Sequence, residues 1–307
     1  MPTEFKNRDI ISITDLSKSD ILHILKVAED LKKKPRPDLL KGNIMASCFF
    51  ENSTRTRLSF ETAMLRLGGN VTGFSNADVT SIKKGETLYD TIKIIGQYVD
   101  VIALRHPLEG AAKLASEATD KPIINGGDGA NQHPTQTLLD LFTIRECQKK
   151  LTDLKIALVG DLKYGRTVHS LAQALVHFGV RLYLIAPNVL QMPNHILDTL
   201  KLSGIKFSMH ENMESIINKV DIIYMTRIQE ERFTDKIEYE RLKDSFILKT
   251  EHLKKVQNSM RIMHPLPRVN EISPDVDKTK HAYYFEQAKN GLFVRQAILG
   301  LLLGKLN

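Results

Sequence analysis

Cysteine is scarce in this chain: Cys48 and Cys147 are the only two among 307 residues. They lie far apart and lack metal-ligand spacing, which excludes a disulfide framework and argues against a zinc site within the chain. Cys48 falls inside an apolar, β-prone run and reads as core rather than as a reactive thiol. No apolar run reaches about 18 residues and no signal-peptide h-region is visible, so a soluble, cytoplasmic protein without a membrane partner is expected. Repeats, low-complexity tracts and long linkers are absent. The formal net charge is +7, yet Lys and Glu interleave along the chain. Apart from Lys32-Lys33-Lys34 there is no basic block, and no RNA-binding aromatic signature. Small anions, rather than nucleic acid, are therefore the expected partners.

What is present is an alternation of short apolar runs with helical stripes, nearly from end to end. This grammar predicts an α/β fold of two domains, each a parallel β-sheet flanked by helices. Strands are read at 44–50, 70–74, 99–104 and 122–125, with helices over 16–34, after Ser53, near 87–98 and over 109–118. The pattern restarts with strands at 155–161, 181–187, 205–209, 221–226 and 260–264. A terminal helix carries Val294, Ala297, Ile298 and Leu301 on one face and is expected to pack back on the first domain. The expected domains are 1–133, joined by the terminal helix 287–307, and 134–286.

The run Ser53-Thr54-Arg55-Thr56-Arg57-Leu58-Ser59-Phe60-Glu61 sits between the apolar strand 44–50 and a helical stripe of Phe60, Ala63, Met64 and Leu67. Ser53 is an N-cap candidate. Hydroxyls, free backbone N–H groups and Arg55 would then gather at the positive end of a helix dipole, a site for an anion such as phosphate. An ordinary capped helix with solvated arginines explains the same residues. Against it, two threonines and a serine crowd a first turn that helix propensity would fill otherwise.

Open α/β sheets collect ligands at the carboxyl ends of their strands, and polar groups recur there. Arg105-His106-Pro107 follows strand 99–104. A glycine-rich turn after strand 122–125 leads to His133 and Gln136 at a helix start. Strand 155–161 ends in Gly160-Asp161-Leu162-Lys163-Tyr164-Gly165-Arg166, where the G-x-G-x-x-G spacing of a dinucleotide site is missing. Arg166 there suits a carboxylate or phosphate held by paired hydrogen bonds. Strand 221–226 ends in Thr226-Arg227-Ile228-Gln229, and strand 260–264 in His264-Pro265-Leu266-Pro267-Arg268. The prolines fix the backbone and could aim the carbonyls of Pro265 and Leu266 at a ligand donor. Arg268 serves equally as a ligand or as half of a structural ion pair.

Taken together, Ser53-Thr54-Arg55-Thr56-Arg57, Arg105-His106-Pro107, His133-Pro134-Thr135-Gln136 and His264-Pro265-Leu266-Pro267-Arg268 resemble the signatures of the aspartate/ornithine carbamoyltransferase family, in order, over about residues 5–300. Within it the chain resembles the catalytic chains that use aspartate, because Arg166 and Arg227 supply two cations for a dicarboxylate and would repel a cationic amino acid. The resemblance implies a carbamoyl-phosphate-binding first domain, an aspartate-binding second domain, and transfer of a carbamoyl group from carbamoyl phosphate to L-aspartate in pyrimidine biosynthesis, without metal or other cofactor.

It further implies that Ser53, Thr54, Arg55 and Thr56 hold the phosphate and that Arg105 bridges phosphate and carbonyl. Thr56, Arg105 and His133 stabilise the oxyanion; Gln136, Pro265 and Leu266 orient the carbamoyl NH2. Arg166, Arg227 and Gln229 align aspartate. Ser81-Ile82-Lys83-Lys84-Gly85-Glu86-Thr87 resembles a loop that reaches a neighbouring subunit's site, so Ser81 and Lys84 would be shared residues of a homotrimer with active sites at subunit interfaces. Two departures stand out. The Ser81–Lys84 spacing is one residue shorter than is common, and Asn270 stands where an Asp is frequent. The resemblance leaves open whether separate regulatory chains attach. The competing class is a binding protein that keeps the carbamoyl phosphate pocket without turnover; it would not need both substrate subsites.

Overall fold

A computed structural model describes residues 4–230, 233 and 235–306. The chain divides into two compact units, Met1–Leu139 with Lys289–Asn307, and Asp140–Ala288. Among the described residues no helix is long and apolar enough to cross a membrane.

The first unit is built on a four-stranded sheet. Its strands are β1 (Ile44–Phe49), β2 (Asn70–Phe74), β3 (Val101–His106) and β4 (Ile123–Asp128), in the order β2-β1-β3-β4. All neighbours are parallel. Near-continuous burial of β1 and β4 explains their unbroken composition, since strands covered on both faces have no polar side to show. Helices α1 (Lys18–Lys33), α2 (Thr54–Arg66), α3 (Leu88–Ile95) and α4 (Ala111–Ala118) connect or precede them. Ala46, Cys48, Ile102, Leu104 and Ile123 from the sheet pack with Ile92 of α3 and Ala112 and Ala115 of α4. Burial also raises the Cys48 thiol to about 12, which leaves it a core residue as expected.

The second unit has five parallel strands, β5 (Lys155–Val159), β6 (Arg181–Ile185), β7 (Lys206–His210), β8 (Ile222–Met225) and β9 (Arg261–Met263), in the order β7-β6-β5-β8-β9. Helix α5 (Pro134–Gln148) leads into this unit; α6 (Arg166–Leu175), α7 (Asn194–Leu202) and α8 (Lys236–Leu242) lie within it, and α9 (Tyr284–Leu302) leaves it. Val294, Ala297, Ile298 and Leu301 of α9 are all buried, and from Lys289 onward α9 belongs to the first unit.

The sheet orders place the sites. Strand order reverses direction beside β1 in the first sheet, which has β2 on one side and β3 on the other, and beside β5 in the second, which lies between β6 and β8. Successive connections leave such a strand in opposite directions and open a crevice beyond its carboxyl end.

Candidate active site

Three sequence readings need adjustment at these strand ends. β3 runs on through Arg105 and His106, because Arg105 stays in register with Phe49 and its carbonyl accepts the Phe50 N–H at 2.8 Å. β4 likewise includes Gly126 and Gly127, read beforehand as a turn. Ser53 does stand at the N-cap of α2, but its side chain makes no capping hydrogen bond.

The crevice beside β1 gathers the first set of residues. Thr54, Arg55 and Thr56 form the first turn of α2, with Thr56 buried. A methyl group placed on Gly126 would sit 3.6 Å from both the Arg105 Cβ and the Thr56 methyl, so these three residues meet at one spot. Arg55 and Arg105 both have guanidiniums pushed below their ordinary pKa; burial is the main cause in each, and the Arg105 charge adds to it for Arg55. Two like charges held together at a helix N-terminus are a receptor for an anion. Arg57 differs: its guanidinium lies 3.6 Å from Glu61, one turn on, and is a surface pair.

Sequence reasoning missed Glu51. Its carboxylate lies 3.2 Å from the Arg105 guanidinium, which also donates to the Gly126 carbonyl at 3.2 Å. The signal was present in outline, since a residue just past β1 faces the end of a parallel neighbour, but strand order is needed to read it.

His133 and Gln136 sit at the start of α5, both buried. The His133 carbonyl opens the helix by accepting the Gln136 and Thr137 N–H groups at 3.0 and 3.2 Å. The preceding loop is fixed by Asp128, a buried carboxylate that accepts from Asn125 (2.9 Å), Gly110 (3.0 Å), Asn131 (3.1 Å) and the Gln132 N–H (3.1 Å). A carboxylate satisfied by so many donors acts as a rigid staple. Ser81 and Lys84 lie on an exposed 3₁₀ turn, Ser81–Lys84.

In the second unit the ends of β5 and β8 come very close. Gly160, at φ +117°, has no room for a side chain: a Cβ would fall 2.3 Å from the Thr226 carbonyl oxygen. That approach brings the turn carrying Arg166, the first residue of α6, beside the one carrying Arg227 and Gln229. Asp161 is fully buried and accepts the Lys163 and Tyr164 N–H groups at 3.1 and 2.9 Å. Desolvation raises its pKa, against the N–H groups of Tyr164, Gln229 and Lys163 that favour its ionised form. Arg227 lines a cavity of ≈ 390 Å³ with Glu230, Phe233, Lys236 and Tyr239. Arg268 turns out to be structural, since it is paired through both terminal nitrogens with Asp277 and donates to the Tyr284 hydroxyl at 3.1 Å. Asn270 takes a local role too, donating its side-chain amide to Asp244.

Each sheet therefore places a pair of arginines at its reversal point. Residues 8–146 match the family description "Aspartate/ornithine carbamoyltransferase, carbamoyl-P binding domain", and residues 152–302 match its "Asp/Orn binding domain". The chain belongs to the aspartate/ornithine carbamoyltransferase family.

Relatives in this family are close. The aspartate carbamoyltransferase catalytic subunit of Thermococcus kodakarensis is 57% identical over 307 residues, covering 99% of each chain. The catalytic subunit 2 of Shewanella halifaxensis is 56% identical over 304 residues, 99% of this chain and 98% of its own. Among solved structures, the M. jannaschii catalytic subunit of aspartate transcarbamoylase is 50% identical with a TM-score of 0.90, covering 97% of this chain and 98% of its own. The Trypanosoma cruzi aspartate transcarbamoylase, solved with carbamoyl phosphate and aspartate, is 38% identical with a TM-score of 0.93 over 99% of both chains.

Proposed function

We propose that this carbamoyltransferase family member transfers the carbamoyl group of carbamoyl phosphate to L-aspartate, giving N-carbamoyl-L-aspartate and phosphate. The observation that carries the reading is the pair of arginines at each strand-order reversal, Arg55 with Arg105 and Arg166 with Arg227. One pair suits a phosphate and the other a dicarboxylate. The amine nitrogen forms a bond to the carbonyl carbon, the tetrahedral intermediate collapses, and the C–O bond to phosphate breaks. The leaving phosphate takes up the amine proton.

Ser53, Thr54, Arg55 and Thr56 hold the phosphate with the N–H groups that open α2. Arg105, Thr56 and His133 stabilise the developing oxyanion, each well-aimed donor being worth about 2.7–4 kcal/mol. Gln136 and the carbonyls of Pro265 and Leu266 orient the carbamoyl NH2; Arg166, Arg227 and Gln229 align aspartate. Bringing the two substrates into contact contributes on the order of 7–11 kcal/mol where geometry is ideal. The enzyme works as a cytoplasmic homotrimer, with Ser81 and Lys84 supplied to a neighbouring subunit's site. The first unit is the carbamoyl phosphate domain and the second the aspartate domain.

Product formation from carbamoyl phosphate with L-aspartate and L-ornithine in parallel tests this. Carbamoyl aspartate from the first and nothing from the second is expected; turnover with ornithine alone, or with neither, overturns it. Mixing inactive Lys84→Ala and His133→Ala chains should restore activity in hybrid trimers, and no recovery after verified subunit exchange would sink the shared site.

A further inference from the structure

The loop after β9 contains a buried ionisable pair that the proposed chemistry leaves without a task. His264 and Glu271 are 2% and 4% exposed. The Leu266 N–H donates to His264 Nδ1 at 2.8 Å, so Nδ1 carries no proton. The imidazole hydrogen is therefore on Nε2, which donates to Glu271 Oε1 at 2.6 Å. The other Glu271 oxygen accepts the Val269 and Asn270 N–H groups at 3.0 and 3.1 Å. One carboxylate and one imidazole thus tie the loop's two ends to its middle.

That middle is chemically unusual. Pro265 and Pro267 have no N–H, so Leu266 holds the only backbone donor between His264 and Arg268. This donor is committed inward to His264, which leaves the segment acceptors alone to offer. Leu266 also sits at φ +57°, in the left-handed region that a residue with a Cβ adopts at a cost of roughly 1–2 kcal/mol. The bond to His264 helps hold it there. The loop's root is fixed in turn: the His264 N–H donates to Gln287 Oε1 at 2.7 Å, Gln287 donates to Asp140 at 2.7 Å, and Asp140 also accepts from the Tyr224 hydroxyl at 2.8 Å. A buried ion pair or charged hydrogen bond is a poor way to gain stability alone, because desolvation offsets most of its attraction. Its use here is geometric.

We infer that His264 and Glu271 are positioning residues that set the Pro265 and Leu266 carbonyls as paired acceptors for the carbamoyl NH2 group. This rests on the reading above that these carbonyls meet that group. Inorganic phosphate has no NH2 to be oriented, so the device acts on carbamoyl phosphate and not on phosphate.

The test uses the full-length enzyme and the variants His264→Gln, His264→Asn and Glu271→Gln. A glutamine can reach Glu271 but offers no acceptor at the Nδ1 position; an asparagine keeps that acceptor and loses the reach. Carbamoyl phosphate affinity and kcat are measured alongside inhibition by inorganic phosphate. For His264→Gln, kcat/KM for carbamoyl phosphate is expected to fall at least about tenfold while the phosphate inhibition constant stays within about twofold. His264→Asn should recover most of that loss, and Glu271→Gln should fall between them. Equal weakening of phosphate and carbamoyl phosphate, or no change in His264→Gln, overturns the inference. Should His264→Gln not fold, Glu271→Gln decides by the same comparison. An unmodified enzyme that makes no carbamoyl aspartate defeats the underlying reading instead.

Discussion

Replacing Arg105 by glutamine removes one of the two charges in the first crevice while keeping a polar, though shorter, side chain. The Arg105 guanidinium contacts Glu51 and the Gly126 carbonyl, with its side chain 11% exposed. Glu51 is 36% exposed on its side chain, but the Oε2 that faces Arg105 is buried and loses its only cation in the variant. Leaving that oxygen without its partner should lower unliganded stability by about 1–3 kcal/mol. The liganded state behaves differently. With inorganic phosphate at about 100 times its dissociation constant, the unmodified protein gains about 2.7 kcal/mol. Truncating one partner of a desolvated, hydrogen-bonded charge pair costs about 2–5 kcal/mol of binding, and a value of about 3 corresponds to a roughly 160-fold weaker site. The same phosphate concentration then stabilises Arg105→Gln by only about 0.3 kcal/mol. Urea denaturation with and without phosphate measures both numbers. A variant that keeps more than about 2 kcal/mol of phosphate stabilisation would show that Arg105 is not a phosphate ligand.

Glu51→Gln should act in the opposite direction, freeing Arg105 and tightening phosphate binding about 3–10-fold, since about 1 kcal/mol of competing ion pair is removed; unchanged affinity by calorimetry would mean Glu51 does not compete. Tyr224→Phe strips a buried donor from Asp140 and should cost about 1.5–3 kcal/mol in urea unfolding, whereas a loss under about 0.5 kcal/mol would show the carboxylate satisfied without it. Burial lowers the His169 pKa, with the Leu162 carbonyl pulling the other way. The unfolded chain therefore takes up a proton first as pH falls through about 6.5. Stability from this group is fully present above that value and declines below it, down to the folded pKa. His169→Gln should flatten the stability profile between about pH 7 and 5, and an unaltered slope would contradict the sign.

The strands were legible because parallel sheets covered on both faces need unbroken apolar runs, and β1 through Cys48 and Phe49 is such a run. Their ends were less so. β3 continues through Arg105 because a neighbouring backbone still offers a partner there, and hydrogen bonds across a sheet do not depend on hydropathy. The arginines showed their part through placement after strands, and the resemblance sharpened it. Glu51 and Asp161 did not, because their meaning comes from strand order and from a glycine that lets two strands approach. Arg268 shows the converse: an arginine beside a signature proline reads equally as a ligand or as half of an ion pair until Asp277, nine residues on, is seen to hold it.

The division of the chain has a consequence for its synthesis. The second unit is one continuous segment, Asp140–Ala288, whereas the first is completed only by Lys289–Asn307. The buried face of α9 and Arg295, which donates to Ser59 on α2 at 2.9 Å and to Thr135 on α5 at 3.3 Å, leave the ribosome after the whole of the second unit. The half translated first is therefore the half that finishes second, and its anion crevice forms around helices still waiting for their last support. A nascent chain that has reached only Ala288 already carries everything internal to its second unit, so birth order and folding order run in opposite directions.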